Sequence, residues 1–339
     1  MGPAREAFGP ATLNRGDRTS EAGRGLDLRY DLEADWVLLT TCNYRCEYCF
    51  FPQSALGALA RTHATNEEWA RAFGADGGTW LIHMTGGEPF VYPNFVDLCE
   101  RLTARHFLSL NTNLSHRTVD AFAGTVDPER VHFVNAALHP VERERRMEEG
   151  DFVERVLLLR RRGFRVFASV VMTPDVLARF DEIFGRYEAR GVPVAPKVLR
   201  GRHGGRTFPS GYTAEERAAV RRHVERARIA NAALIAAMGE PPTINVFADD
   251  RLLDRPLRYW GKMCGSGHRF ARIEADGTVV RCGSKKSLGN ILAGDVRWQD
   301  GPRRCWTSYC PYYCEKYTSA RFVSRGASPT QARGGTIAR

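Results

Sequence analysis

Across residues 36–199 short apolar runs alternate with stretches whose apolar positions recur every three or four residues. The first pattern suits buried strands and the second amphipathic helices, and their alternation is the sign of βαβ units on a parallel sheet. Strands are predicted over residues 35–41, 79–84, 107–111, 131–137, 165–172 and 192–199. Right-handed crossovers close such units into an α/β fold, a partial TIM-like (β/α)6 barrel whose loops at the C-terminal strand ends form one working face. Cys42, Gly86, Asn111, Asn135, Thr173 and Arg200 belong near that face.

The helical stretches follow the same logic. Residues 93–106 place Phe95, Leu98, Cys99 and Leu102 on one side, so Cys99 reads as a small core hydrophobe. Residues 175–190, starting after Pro174, align Leu177, Phe180, Phe184 and Tyr187. Thr213-Ala214-Glu215-Glu216 is a capping box that opens one long helix with Val220, Val224, Ala227, Leu234 and Met238 as its apolar stripe. Further on, Asp276-Gly277 between two apolar runs signals a β-hairpin. The expected division is a barrel over 27–200, a basic loop and bridging helix over 201–258, a small cysteine-bearing domain over 259–318, and mobile tails at 1–26 and 319–339.

Composition narrows the class. With 43% hydrophobic residues, 339 residues suffice for a large domain and an appendage. There is no run of eighteen apolar residues and no apolar signal core, so a soluble, cytoplasmic protein is expected. Nine cysteines in such a chain point to metal rather than disulfides. The net charge of +10 favours an anionic partner without choosing among nucleic acid, phosphate and an acidic surface.

The chemistry centres on Cys42, Cys46 and Cys49 in CNYRCEYCF. Three thiolates within eight residues can wrap a four-iron cluster and leave one iron open, as a catalytic metal site keeps a position for substrate. A zinc knuckle is the alternative, but it wants a fourth ligand close by, and His63 lies fourteen residues on.

CNYRCEYC, with Tyr48 before the last cysteine, resembles the signature of the radical S-adenosylmethionine (SAM) enzymes. The resemblance implies a [4Fe-4S] cluster with SAM chelated at the open iron, reductive cleavage to a 5'-deoxyadenosyl radical, and hydrogen abstraction from a substrate. It implies an electron donor such as flavodoxin or ferredoxin. It also assigns Gly86-Gly87-Glu88 to the SAM amino group, with Glu88 accepting from the ammonium. Asn111, Asn113, Asn135 and Ser169 become candidate contacts for the SAM ribose and carboxylate, with Lys197 and Arg200 as carboxylate partners.

The C-terminal region carries Cys264, Cys282, Cys305, Cys310 and Cys314, enough for one further cluster. It resembles the SPASM/twitch extension of that superfamily but has five cysteines where the full pattern has seven. One auxiliary [4Fe-4S] cluster on Cys264, Cys282, Cys310 and Cys314 is expected. Cys305 is then a spare ligand or a thiol that returns a hydrogen atom, and four thiolates also suit zinc.

The stretch from Arg200 to Arg206 reads as a loop whose Arg202, His203 and Arg206 suit a phosphate or carboxylate, with His139 and Arg143 as candidates to join it. Only some thirty residues precede the first strand, so the winged-helix module of many peptide-modifying relatives is not expected. The expected substrate is therefore a small polar, phosphorylated or nucleotide-bearing sugar or nucleoside, undergoing oxidation, epimerisation or carbon–carbon coupling. A peptide maturase is the alternative enzyme, and a non-catalytic iron–sulfur or zinc protein that binds nucleic acid is the alternative class.

Overall fold

The structure is a computed structural model describing residues 26–57, 59–239, 242–243, 245–253, 259, 261–283, 286–305 and 316–317. Both expected tails, apart from Leu26, lie outside the described residues, as do Cys310 and Cys314.

Parallel strands β1 (Leu32–Leu39), β2 (Trp80–Gly86), β3 (Phe107–Thr112), β4 (Val131–Ala137), β5 (Val166–Val171) and β6 (Val194–Lys197) follow one another in the sheet in chain order. Between them run α1 (Asn66–Gly74), α2 (Phe95–Thr103), α3 (Val119–Thr125), α4 (Pro140–Arg146), α5 (Glu149–Arg161), α6 (Pro174–Ala178) and α7 (Phe180–Glu188). The fold is α/β with a partial TIM-like barrel.

Each strand has two buried faces, and β1 shows how they differ. Ala34, Trp36 and Leu38 join the helix-facing core, where the Trp36 ring lies 4.6 Å from Trp69 and 5.1 Å from Phe73 of α1. Aromatic pairs of this kind add about 0.5–1.5 kcal/mol each beyond the area they bury. Glu33, Asp35 and Val37 alternate with them and take the opposite face, since strand side chains have a period of two. That inner face is polar, and it is where the chemistry sits.

Two predicted helices are interrupted. The helix after Pro174 breaks at Arg179 between α6 and α7. The long helix opens with the expected Thr213 capping box but ends as α8 (Ala214–Ala230) at Asn231, before a short α9 (Ala232–Ala237). Asn231 caps the break, its Nδ2 donating to Ala227 O and reaching across to Val194 O of β6. The expected basic loop is a hairpin of β7 (Gly201–His203) and β8 (Arg206–Phe208).

The C-terminal hairpin is part of the barrel sheet. Among β9 (Met263–Cys264), β10 (Phe270–Ile273), β11 (Thr278–Val280), β12 (Ser287–Asn290) and β13 (Arg303–Arg304), β10 pairs in parallel with β1, and β11 and β12 extend the sheet antiparallel. Among the described residues no helix is long and apolar enough to cross a membrane.

Candidate active site

The barrel opens at its C-terminal end into a cavity of about 880 Å³ that Cys42, Cys46 and Cys49 line on one side. This lies at the upper end of the range for small-molecule sites. Backbone contacts set the cysteine loop. Gly57 N donates to Cys42 O (2.7 Å), Cys49 N to Cys46 O (3.1 Å) and Arg146 Nη2 to Asn43 O (2.8 Å).

Gly86 and Gly87 explain the pairing of the two motifs. Gly87 N donates to Leu39 O and Glu88 N to Thr41 O, both at 2.9 Å, which staples this turn to the entry of the cysteine loop. The approach is too close for a side chain. A Cβ at Gly86 would meet Leu39 O at 2.2 Å, and one at Gly87 would meet Thr41 O at 1.8 Å.

Glu88 differs from its expected role. Its carboxylate is fully buried and accepts from Phe90 N (3.0 Å), Thr112 Oγ1 (2.6 Å) and Asn113 N (2.5 Å), so it ties the end of β3 to the turn rather than facing a ligand. Burial pushes it up to about 7 despite these bonds. The cavity-facing groups of this motif are those of Gly86 and Gly87.

The other expected residues divide clearly. Tyr48 lines the cavity, and its hydroxyl lies 2.7 Å from His139 Nδ1, which is 3.4 Å from Cys46 Sγ. Burial drops His139 to about 3, so its ring is neutral. Asn111, Asn113, Asn135, Ser169, Lys197 and Arg200 also line the cavity. Asn113 is shared with the loop, its Nδ2 donating to Asn43 Oδ1 (2.9 Å). Asn135 Nδ2 donates to Asn111 Oδ1 (2.7 Å), while Asn135 Oδ1 is buried without a partner in the structure. Arg200 bonds Asn245. Burial, ahead of the Arg200 charge and against Asp249, lowers Lys197 to about 8.

Of the expected anion loop, Arg200 and Gly201 line the cavity, but Arg202, His203 and Arg206 do not. Arg206 is spent on Glu216, with Nη2 and Nη1 at 3.0 and 3.1 Å from its two carboxylate oxygens, and Arg202 is exposed on the hairpin. His203 stands 4.0 Å from Asp175 and meets the Tyr48 ring edge-on at 6.5 Å. Arg143 is buried beneath the site, where Nε donates to Leu138 O (2.6 Å) and its guanidinium stacks on Phe152, so it supports the loop and does not reach a ligand. The position sequence reasoning missed is Asp35, which alternates with Ala34 and Trp36 and faces the lumen.

In the C-terminal region β9 pairs with β13, aligning Arg303 with Cys264, and Cys305 N donates to Lys262 O (2.8 Å). Cys264 thus ends β9, and Cys305 follows β13 directly, opposite Lys262. Cys282 is held nearby through Arg281, whose Nε donates to Ser266 O (2.9 Å). Cys305 does not line the barrel cavity, so a hydrogen-donor role toward a molecule held there lacks geometric support.

The residues fit a cysteine-held cluster. Burial raises all three loop thiols, Cys42 to about 11 and Cys46 to about 12, so their thiolates need positive charge that the site's own side chains do not supply. Among the described residues no three Cys, His, Asp or Glu side chains gather around a single ion.

A family model described as the radical SAM superfamily matches residues 36–186. GTP 3',8-cyclase 1 of Pseudomonas aeruginosa is 42% identical over 69 residues, 19% of this chain and 20% of that protein. GTP 3',8-cyclase of Desulforamulus reducens is 38% identical over 77 residues, 21% and 24% of the respective chains. The chain thus spans less than a quarter of the length of these curated relatives. Among solved structures, Streptococcus suis SuiB bound to S-adenosylmethionine superposes with a TM-score of 0.52 at 16% identity over 78% of this chain and 64% of that one. Native anSMEcpe with bound AdoMet gives 0.53 at 14% identity over 77% and 78%. These likenesses establish the fold.

Proposed function

Because residues 36–186 form a radical SAM domain, we propose that this chain is an enzyme acting on a small polar substrate held in the barrel lumen. A [4Fe-4S] cluster bound there with SAM would supply the one-electron chemistry that lets a hydrogen atom be taken from the substrate. Cys42, Cys46 and Cys49 would hold that cluster. The Gly86-Gly87 backbone, Tyr48, Asn111 and Ser169 border the space for SAM, and Asn113 steadies the loop. Oxidation, epimerisation and carbon–carbon coupling all begin with that abstraction. Cys264, Cys282 and Cys305, with Cys310 and Cys314 beyond the described residues, would serve an auxiliary cluster. A reductant such as flavodoxin or ferredoxin would deliver the electron.

The observation that carries the reading is the single cavity in which the three cysteines at the mouth face an inner wall of polar side chains. The β6 edge of the sheet argues against a peptide added there as a strand. β6 is an edge strand, but Asn231 donates to Val194 O, Asp249 accepts from Val198 N (2.8 Å), and the Tyr212 hydroxyl accepts from Leu199 N (2.9 Å). Those groups are not available for strand addition. The curated relatives are named for GTP, a phosphorylated nucleoside, which falls in the same class of small polar anion. The test is 5'-deoxyadenosine formation by reconstituted protein with dithionite and SAM, with nucleotides and sugar phosphates compared against peptides. Stimulation by the small anions is expected; stimulation by peptides alone would contradict the reading.

A further inference from the structure

The inner wall of the barrel holds charge that the cysteine loop and its glycine turn do not use. Asp35 of β1 is 9% exposed and lines the cavity, and its carboxylate has no hydrogen-bond or ion-pair partner among the described residues. Asn135 of β4, 2% exposed, lines the same cavity, and its Oδ1 is buried without a hydrogen-bond partner. The Lys197 ammonium at the end of β6 also has no partner within hydrogen-bonding or ion-pairing distance among the described residues. Its charged neighbours are Asp249, Arg200 and Asp35. Asp249 is committed elsewhere, accepting from Val198 N and Asn245 N.

The C-terminal hairpin adds the fourth group. β10 lies parallel to β1 in the register Asp35↔Arg272, and Arg272 lines the cavity with its Nε oriented by Glu274 at 2.9 Å. A buried polar group without a partner costs free energy unless something satisfies it, and the unpartnered Asp35 carboxylate and Lys197 ammonium on one cavity wall, with Arg272 beside them, mark a place built for a ligand.

We propose that Asp35, Asn135, Lys197 and Arg272 form a substrate subsite in the lumen, distinct from the SAM position. It takes a small molecule with hydroxyl or amino donors against Asp35 and an anionic group against Lys197 and Arg272. The inference rests on the reading of the chain as a radical SAM enzyme and deepens it, because it moves Lys197 from the SAM carboxylate to the substrate. It also gives the C-terminal hairpin a role in substrate recognition besides any metal it holds.

The test uses the reconstituted full chain, with glucosamine 6-phosphate and ribose 5-phosphate as probes and calorimetry as the readout, in the presence and absence of SAM. Wild type binds at least one probe. Lys197→Met and Asp35→Asn weaken that binding about tenfold or more, the loss of one charge-assisted hydrogen bond. Their SAM affinity, measured on the same samples, stays within about twofold, which also shows that the variants fold. Lys197→Arg restores part of the probe binding. Binding of neither probe by wild type overturns the ligand class, and a loss of SAM affinity of about tenfold in either variant returns these residues to the SAM site. The 5'-deoxyadenosine yield of wild type is read separately: its absence with probe binding intact sinks the radical chemistry and leaves the subsite standing.

Discussion

Glu33 and Asp35 stand two residues apart on the same face of β1, yet the barrel treats them in opposite ways. Glu33, at the closed end, is fully buried and satisfied on every side. Its carboxylate meets Lys316 Nζ at 2.6 Å, Tyr317 OH at 2.7 Å, His83 Nε2 at 2.8 Å and Tyr30 OH at 3.0 Å, and His83 continues to Ser109. Asp35, at the open end, has none of this. Burial alone would raise the Glu33 carboxyl, but the charge of Lys316 with the bond and charge of His83 holds it at about 2. Burial raises Asp35, with Arg272 opposing. A buried charge network completed within the chain serves structure, and one left incomplete at a cavity is available to a ligand. Lys316 and Tyr317, just after Cys314 in the chain, are thus themselves bound at the closed end.

The largest effect should come from breaking the closed end. Glu33→Ala leaves Lys316 and His83 without their carboxylate and should cost about 3–5 kcal/mol, read as a lower denaturation midpoint by tryptophan fluorescence. A loss below about 1 kcal/mol would remove the contrast. Acid titration reads the same network. Because the folded Glu33 lies below the ordinary 4.5, its contribution is full above pH 4.5 and is lost as pH falls toward about 2. That contribution is on the order of 3 kcal/mol. Glu88 has the opposite sign, since its folded value of about 7 lies above 4.5. Its contribution is full below pH 4.5 and disappears as pH rises through about 7.

At the open end, Gly87→Ala forces a Cβ onto Thr41 O and displaces the cysteine loop. A misplacement on this scale should lower the SAM cleavage rate about a hundredfold, with the fluorescence midpoint reporting whether the barrel itself survives. Asp35→Asn should move stability by no more than about 1 kcal/mol, because no partner is lost. A cost like that of Glu33→Ala would show that Asp35 is structural after all. Arg206→Ala should be smallest, about 0–1 kcal/mol for a half-exposed ion pair, with no change in SAM affinity.

The strands of the barrel were legible because their apolar runs are local and bounded by turns. The start of β1 was not. Residues 32–34 read as Leu-Glu-Ala, and a fully buried glutamate is unexpected until Lys316, nearly three hundred residues on, is seen to pair with it. Pairing of β10 with β1 is invisible for the same reason, since a hairpin signal says nothing of the third strand it joins. The cysteine loop and the Gly86-Gly87 turn were readable as motifs, but the direction of a side chain within a motif was not. Glu88 points into Thr112 and Asn113, and Arg206 into Glu216, each toward a partner that spacing alone does not reveal. The break at Asn231 arises where a tertiary contact, to Val194 O, overrides a continuous helical pattern.

The central claim is that the open end of this barrel holds SAM against a cluster on Cys42, Cys46 and Cys49. Its most direct measurement is 5'-deoxyadenosine release by anaerobically reconstituted protein with dithionite, alongside iron and sulfide content, for wild type and for Cys46→Ala. The account predicts release by wild type, and its loss in Cys46→Ala together with the iron and sulfide of one cluster. Release that persists in Cys46→Ala, or a wild type that binds a full cluster and SAM yet cleaves none with any substrate, would contradict it.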